Sequence, residues 1–186
     1  MPKSDRAGFT LIEMLIVLTL IGIVSAIAIP RIRISSYNAD AGMRTVQGVL
    51  QQAQRNAIVR QTDVMVSFDT AGRRIRTVFD LNNNHILDAG EEVRWRPLED
   101  GNRFALPSAG VQLAAGAAVV GTSLSSRDGF PTLYYRRDGA LSTELELYLR
   151  SSTPDVRDFR ALHVRQATGR VQLYRYNGTA WIGVGL

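Results

Sequence analysis

From Phe9 to Ile29 the chain reads FTLIEMLIVLTLIGIVSAIAI, 21 residues with one charge, at Glu13. A helix of that length spans about 30 Å, the hydrocarbon thickness of a bilayer, so the run predicts a membrane-inserting helix. A polar stretch, MPKSDRAG, precedes it, and Pro30, Arg31 and Arg33 follow. From Ile32 to about Arg60 the pattern becomes amphipathic. Met43, Val46, Leu50, Ala53 and Ala57 recur at steps of three and four, forming one apolar stripe, while Arg44, Gln47, Gln51, Gln54 and Arg55 fall on other faces. A stripe of this kind predicts a helix packed on a sheet.

After Gln61 the period drops to two. Val64, Val66 and Phe68 alternate with Met65 and Ser67, and Thr70-Ala71-Gly72 turns the chain into Arg73–Phe79. Further strands are expected at Glu92–Arg96, Val111–Ala114, Thr132–Arg136, Thr143–Arg150, Arg160–Gln166 and Arg170–Tyr176, with turns at Asp138-Gly139 and Thr168-Gly169. Leu145, Leu147 and Leu149 point one way, and Glu144, Glu146 and Tyr148 the other, as in a half-solvated antiparallel sheet. The expected fold class is α+β: a long N-terminal helix, half membrane-borne and half amphipathic, packed on an antiparallel β-sheet domain. Its segments are a polar leader (1–8), an apolar helix (9–30), an amphipathic helix (31–61) and an all-β domain (62–186).

Composition narrows the chemistry. With 186 residues and no cysteine, disulfides, thiolate zinc sites, iron–sulfur clusters and a cysteine nucleophile are excluded. His85 and His163 are the only histidines, so no three-histidine metal site can be built within the chain. There is no nucleophile elbow, phosphate-binding glycine loop or His-Glu-x-x-His motif, and the chain reads as a non-enzyme. The net charge of +5 comes from Lys3 and 21 arginines, a balance that invites a nucleic-acid or anionic-surface reading. Acidic residues interleave with those arginines almost everywhere, as they do on an ordinary solvated surface.

Three readings compete for the N-terminus. A permanent anchor explains the length of the apolar run but not Glu13. A secretory signal peptide could use Ala26-Ile27-Ala28 for cleavage, although the run exceeds the usual 7–15 residues. The third starts from Gly8-Phe9-Thr10-Leu11-Ile12-Glu13, a short basic leader ending in glycine, then phenylalanine, then a carboxylate five positions into the run. These residues, with the rest of GFTLIEMLIVLTLIGIVSAIAIP, resemble the class III signal of type IV pilins and type II secretion pseudopilins. The resemblance implies cleavage between Gly8 and Phe9 by a prepilin peptidase, N-methylation of the new Phe9 amine, and pairing of Glu13 with the amine of a neighbouring subunit. It also implies a pilin-like fold whose helix can loosen between Gly22 and Pro30. The segments LQQAQRNAIVRQTDVMVSFD, LYYRRDGAL and LHVRQATGRVQLYR are similar to the GspH/FimT minor pseudopilins, and no cysteine pair closes a C-terminal loop as in many major pilins. The implied setting is the inner membrane, single-pass in its lipid, with the β domain in the periplasm. From there the subunit would join other major and minor pseudopilins in a type II secretion pseudopilus or a type IV pilus.

Two further candidates lie in the β domain. Asp80, Asn82, Asn84, Asp88 and Glu91 hold positions one, three, five, nine and twelve of a loop, the spacing of an EF-hand calcium loop. Position six is His85 where that loop wants glycine, and Asn and Asp are also what a plain polar hairpin uses. From Arg127 onward nine arginines face six acids, interleaved with Tyr134, Tyr135, Tyr148, Tyr174 and Tyr176, which could stack bases. Arg165, Arg170 and Arg175, around Gly169, are the candidate DNA contacts, because some members of the resembling family take part in DNA uptake. His163 lies in an alternating strand and reads as a structural side chain.

Overall fold

The computed structural model describes residues 8–28, 34–99, 101–108, 113, 117–152 and 155–185. It divides into two units, one ending at Ile34 and one beginning at Ser35. The first contains α1, Leu11–Ala28, which runs through Gly22 without a break. Its apolar side chains are exposed all round, Leu11 at 84% and Leu18 at 67% of their full surface. A helix that is apolar on every face has no solvated side to offer water. Its 18 residues measure about 27 Å, against about 30 Å for a bilayer core. Among the described residues no helix is long and apolar enough to cross a membrane. The apolar run of the sequence is 21 residues, however, and its last residue, Ile29, lies with Pro30 outside the described residues.

The second unit is built on α2, Ile34–Arg60. Met43, Val46, Leu50, Ala53 and Ala57 are all buried, with Ala39 one turn earlier. The strands are β1 (Asp63–Asp69), β2 (Arg74–Asp80), β3 (Glu92–Pro97), β4 (Arg103–Phe104), β5 (Ala118–Val119), β6 (Ser126–Arg127), β7 (Phe130–Tyr135), β8 (Leu145–Arg150), β9 (Phe159–Val164), β10 (Val171–Tyr176) and β11 (Trp181–Val184). Among the described residues they form two sheets, ordered β3-β2-β1-β7-β6 and β11-β10-β9-β8-β4, in which only β5, beside β8, pairs in parallel. The stripe of α2 packs with the inner faces of both sheets in one cluster, which takes Val66, Phe68 and Leu133 from the first sheet and Leu147, Leu162 and Val164 from the second. This is the α+β architecture that the alternation of periods implies.

Polar contacts fix where α2 lies. Arg160, 2% exposed, pairs with Asp40 and donates to Ser36 Oγ at 2.9 Å and to the Phe159 carbonyl at 3.0 Å. Gln54 Nε2 donates to the carbonyls of Gly139 and Thr168, both at 2.9 Å, so one side chain joins α2 to two turns. Both expected turn glycines are in the left-handed region, Gly139 at φ +84° and Gly169 at φ +61°. A Cβ on Gly169 would also lie 2.6 Å from the Gly139 carbonyl.

Several sequence expectations need correction. The second face of β8 is not solvated: Glu146 and Tyr148 are buried, and Tyr148 packs with Val119, Ala161, Leu113 and Trp181 on the outer side of the sheet. Leu113 and side chains from neighbouring strands cover that face, which alternation within a single strand does not reveal. Gln47, placed on a polar face, is buried as well. The second strand starts at Arg74 rather than Arg73, which lies in the turn at φ +52°, and the small size of Gly72 leaves room for the Asp69 carboxylate. Val111–Ala114 lies outside the described residues except for Leu113, whose N–H donates to Tyr148 Oη at 2.9 Å. Sequence reading missed β11, although Asn177-Gly178 is a hairpin signal and Tyr176 faces Trp181 across that turn.

Truncating the stripe should separate its role from that of the exposed face. Leu50→Ala is expected to cost about 2–5 kcal/mol, and Arg55→Ala to stay within about 0.5 kcal/mol. Thermal melting of the full chain in detergent measures both.

Candidate functional site

The first turn of α1 is set by Thr10. Its Oγ1 accepts the N–H of Glu13 at 3.2 Å, and its carbonyl accepts the N–H of Met14 at 3.2 Å. Thr-x-x-Glu at this position is the signature of a capping box. Thr10 thus caps the helix through the backbone N–H of Glu13, a start signal that sequence reading missed. The Glu13 carboxylate lies where the helix dipole favours an anion. Gly8 and Phe9 precede the helix and are exposed, so the bond between them is accessible. Beyond the adjoining residues and the helix's own backbone, no heavy atom of the described residues lies within 4 Å of a Cβ built on Gly8 or on Gly22. Packing within this chain does not demand glycine at either position.

The Asp80–Glu91 loop is ordered largely by its own side chains. The buried Asp80 carboxylate accepts the backbone N–H of His85 at 2.7 Å and of Asn84 at 3.2 Å. Asn82 Nδ2 and Asn84 Nδ2 both donate to Asp88 Oδ2, at 2.8 and 2.7 Å. Glu91 closes the loop by accepting from the N–H groups of Leu81 at 3.0 Å and Asp88 at 3.1 Å. All five expected residues thus meet in one loop. Among the described residues no three His, Cys, Asp or Glu side chains form a metal-binding group, so a cation here would depend on the Asn82 and Asn84 oxygens. His85, at the sixth position, has φ +60°, the conformation for which the EF-hand loop uses glycine.

His85 does more than turn the chain. Its ring stacks on Tyr134 with centroids 3.7 Å apart, and Nε2 lies 2.8 Å from Asp63 Oδ2. Its carbonyl accepts from Arg127 at 2.7 Å. Sequence reading missed this cluster because its members come from β1, the loop, β6 and β7, and no periodic signal links them.

The basic residues are scattered. Arg165 and Arg170 meet across the β9–β10 hairpin, where the Arg165 N–H donates to the Arg170 carbonyl at 3.2 Å, and Arg136 shares an open basin with Arg165. Arg175 stands at the far end of β10, about 17 Å along the strand from Arg170. Their odd spacing puts the two side chains on opposite faces. Of the five tyrosines, Tyr135 and Tyr148 are buried and cannot stack a base. Tyr134 already stacks on His85. His163 is buried against Glu144, with Nε2 2.7 Å from its Oε1, a structural pairing.

Comparison with known proteins adds sequence relationships to this geometry. Residues 3–29 match the prokaryotic N-terminal methylation motif, and residues 43–168 match the family described as type II transport protein GspH. Two solved structures of the minor pseudopilin EpsH from the type II secretion system of Vibrio cholerae are similar at 12% and 14% identity, with TM-scores of 0.49 and 0.48. The alignments cover 73% and 74% of this chain, and 95% and 94% of those chains. No curated protein matches the sequence.

The loop's hydrogen bonds have a pH signature. The amides of Asn82 and Asn84 hold the Asp88 carboxyl below its ordinary range by donating to its charged form. A depressed carboxyl contributes stability that is present above its unfolded value, about 3.9. That contribution is lost as pH falls through the lower folded value. Carboxyl-carbon NMR should show Asp88 titrating below the ordinary aspartate range, and Asn82→Ala with Asn84→Ala should return it to that range.

Proposed function

The chain belongs to the type II transport protein GspH family, and on that footing we propose that it is a minor pseudopilin, a structural subunit rather than an enzyme. It would be processed by a prepilin peptidase between Gly8 and Phe9, methylated at Phe9, and assembled with other pseudopilins from the inner membrane into a type II secretion pseudopilus. The observation that carries this reading is α1, a helix exposing apolar surface on every side with one carboxylate in its first turn. Contiguous exposed apolar surface of this extent marks a membrane or protein contact. A lipid bilayer before assembly and neighbouring helices afterwards would both satisfy it.

Glu13 gives the reading its mechanism. Inside an apolar medium a carboxylate costs about 2.5–3.5 kcal/mol on insertion scales, so it needs a counter-charge. Cleavage before Phe9 creates an amine four residues away, at the same end of the helix, and the amine of an adjoining subunit can pair with Glu13. Pairing of this kind fixes the axial register of subunits and places this one beneath another rather than at the extreme tip. The β domain would then stand in the periplasm. The same subunit chemistry would suit a type IV pilus, and the genomic neighbourhood would tell the two machines apart. A pilus-associated DNA receptor has less support, because Arg165 and Arg170 meet but Arg175 does not join them.

Glu13→Leu tests the mechanism in the native host. The variant is expected to enter the membrane and be processed, with mass spectrometry showing a chain that begins at N-methyl-Phe9. It should fail to co-purify with partner pseudopilins. Intact co-purification and secretion would rule out the charge pair, and a mature start at Ile29 would overturn the pseudopilin reading itself.

We further propose that the Asp80–Glu91 loop takes calcium, on the strength of the left-handed His85 at the loop's sixth position. Asp80, Asn82, Asn84, Asp88 and Glu91 would hold the ion through oxygen, which suits a hard cation. Calcium at millimolar concentration should raise the melting temperature of the full chain by mass action, and Glu91→Gln should reduce the shift. An unchanged melting curve would leave the loop as a plain hairpin held by its own side chains.

A further inference from the structure

The outer edge of β3 is open, and a groove lies beside it. β3 forms one end of its sheet, and among the described residues no strand pairs with its outer side. The N–H of Leu98 donates to the carbonyl of Arg73 at 2.8 Å, and the register continues Ile75↔Arg96 and Thr77↔Arg94. In an antiparallel ladder this phase turns the backbone groups of Arg94 and Arg96 toward β2 and those of Val93, Trp95 and Pro97 outward. All six residues of β3 are exposed. Edge strands with free donors and acceptors are templates for pairing.

Beside this edge, on the α2 side, Gln52, Asn56, Thr77, Phe79, Arg94 and Arg96 line a cavity of about 170 Å³. Its electrostatics are one-sided. Glu92 is shared by Arg60 at 2.9 Å and Arg94 at 2.5 Å, and Arg96 has no ion pair among the described residues. The guanidinium groups of Arg60 and Arg94 also lie over the Phe79 ring, 4.2 and 5.2 Å from its centroid. Three cations therefore face one carboxylate, with amide and hydroxyl groups between them. A second copy of this chain is a poor occupant. Two-fold pairing of β3 with itself would set the Arg94 and Arg96 side chains of both copies on neighbouring strands, and like charges placed there repel.

We propose that the β3 edge is a docking strand for an extended, acidic segment of a partner protein. The segment adds to the sheet through the outward backbone groups of Val93 and Trp95, and its alternate side chains reach into the groove. Aspartate or glutamate at those positions accepts charge-assisted hydrogen bonds from Arg94 and Arg96. Pro97, with no N–H to offer, ends the pairing. The proposal does not depend on which filament the chain serves, nor on the role of Glu13.

The test uses the full chain in detergent and a fluorescein-labelled peptide of alternating glutamate and valine, with its lysine counterpart as control. Fluorescence anisotropy should show the glutamate peptide binding and the lysine peptide not. Arg96→Glu should weaken binding about tenfold or more. Val93→Pro removes an outward donor and keeps the ladder to β2, so it should also weaken binding while the melting temperature stays near that of the wild type. Arg170→Glu, on the other sheet, should change nothing. Equal binding of the lysine peptide, or wild-type affinity in Arg96→Glu, would overturn the proposal. So would displacement of the peptide by an oligothymidylate acting through Arg96, which would make the groove a nucleic-acid site.

Discussion

The second unit depends on one constraint: a single apolar stripe of α2 serves two sheets. Neither sheet closes its own core, and each presents a row of aliphatic side chains that must be covered. Val46, Leu50 and Ala53 lie where both rows converge, so residues from α2, β1, β7, β8 and β9 share one cluster. At about 1.5–3 kcal/mol for each large side chain fully buried, the stripe supplies the gross driving force for docking the helix. It does not choose a position, because aliphatic contacts carry little directional information. The polar anchors make that choice. Arg160 grips the start of α2 through Asp40 and Ser36, and Gln54 ties its later turns to Gly139 and Thr168.

These anchors explain why two glycines are fixed in their turns. Gly139 and Gly169 come close enough that a Cβ on either would meet Gln54, Ile58 or the opposing carbonyl. Their left-handed backbones already exclude most side chains. The conformational requirement and the packing requirement fall on the same residues, so a substitution there would disturb the turns and the helix contact together.

The periodic features of this fold were legible in the sequence. The stripe at steps of three and four gave the buried face of α2, and period-two segments gave β1, β2, β3, β7, β8, β9 and β10 to within a few residues. What escaped detection depends on contacts between distant segments. Burial of Glu146 and Tyr148 needs Val119 and Trp181 to arrive from elsewhere, and the two-residue strands β4, β5 and β6 are too short to show a period. The site followed the same division. Gly8, Phe9 and Glu13 carry a local motif, as does the spacing of Asp80, Asn82, Asn84, Asp88 and Glu91. By contrast, the contact of His85 with Asp63 and Tyr134 exists only once β1 and β7 are paired.

Charge is where composition alone misleads most. A chain whose cations are nearly all arginine looks like a nucleic-acid binder, yet among the described residues two arginines are buried in the fold and others stack on its aromatic rings. Arg76 is buried, with its guanidinium 5.1 Å from the Phe130 ring centroid and hydrogen bonds to Ser67 at 3.1 Å and Asp128 at 2.9 Å. Arg160 is buried in the α2 anchor, and Arg74 lies 4.0 Å from the ring centroid of Trp95. Such placements suit a planar, weakly hydrated guanidinium and not a compact, strongly hydrated ammonium. At these positions arginine serves where lysine would not, because its guanidinium can be stacked and buried. The remaining arginines are scattered over the surface, the β9–β10 hairpin and the β3 edge included, and local geometry, rather than the isoelectric point, determines what each can bind.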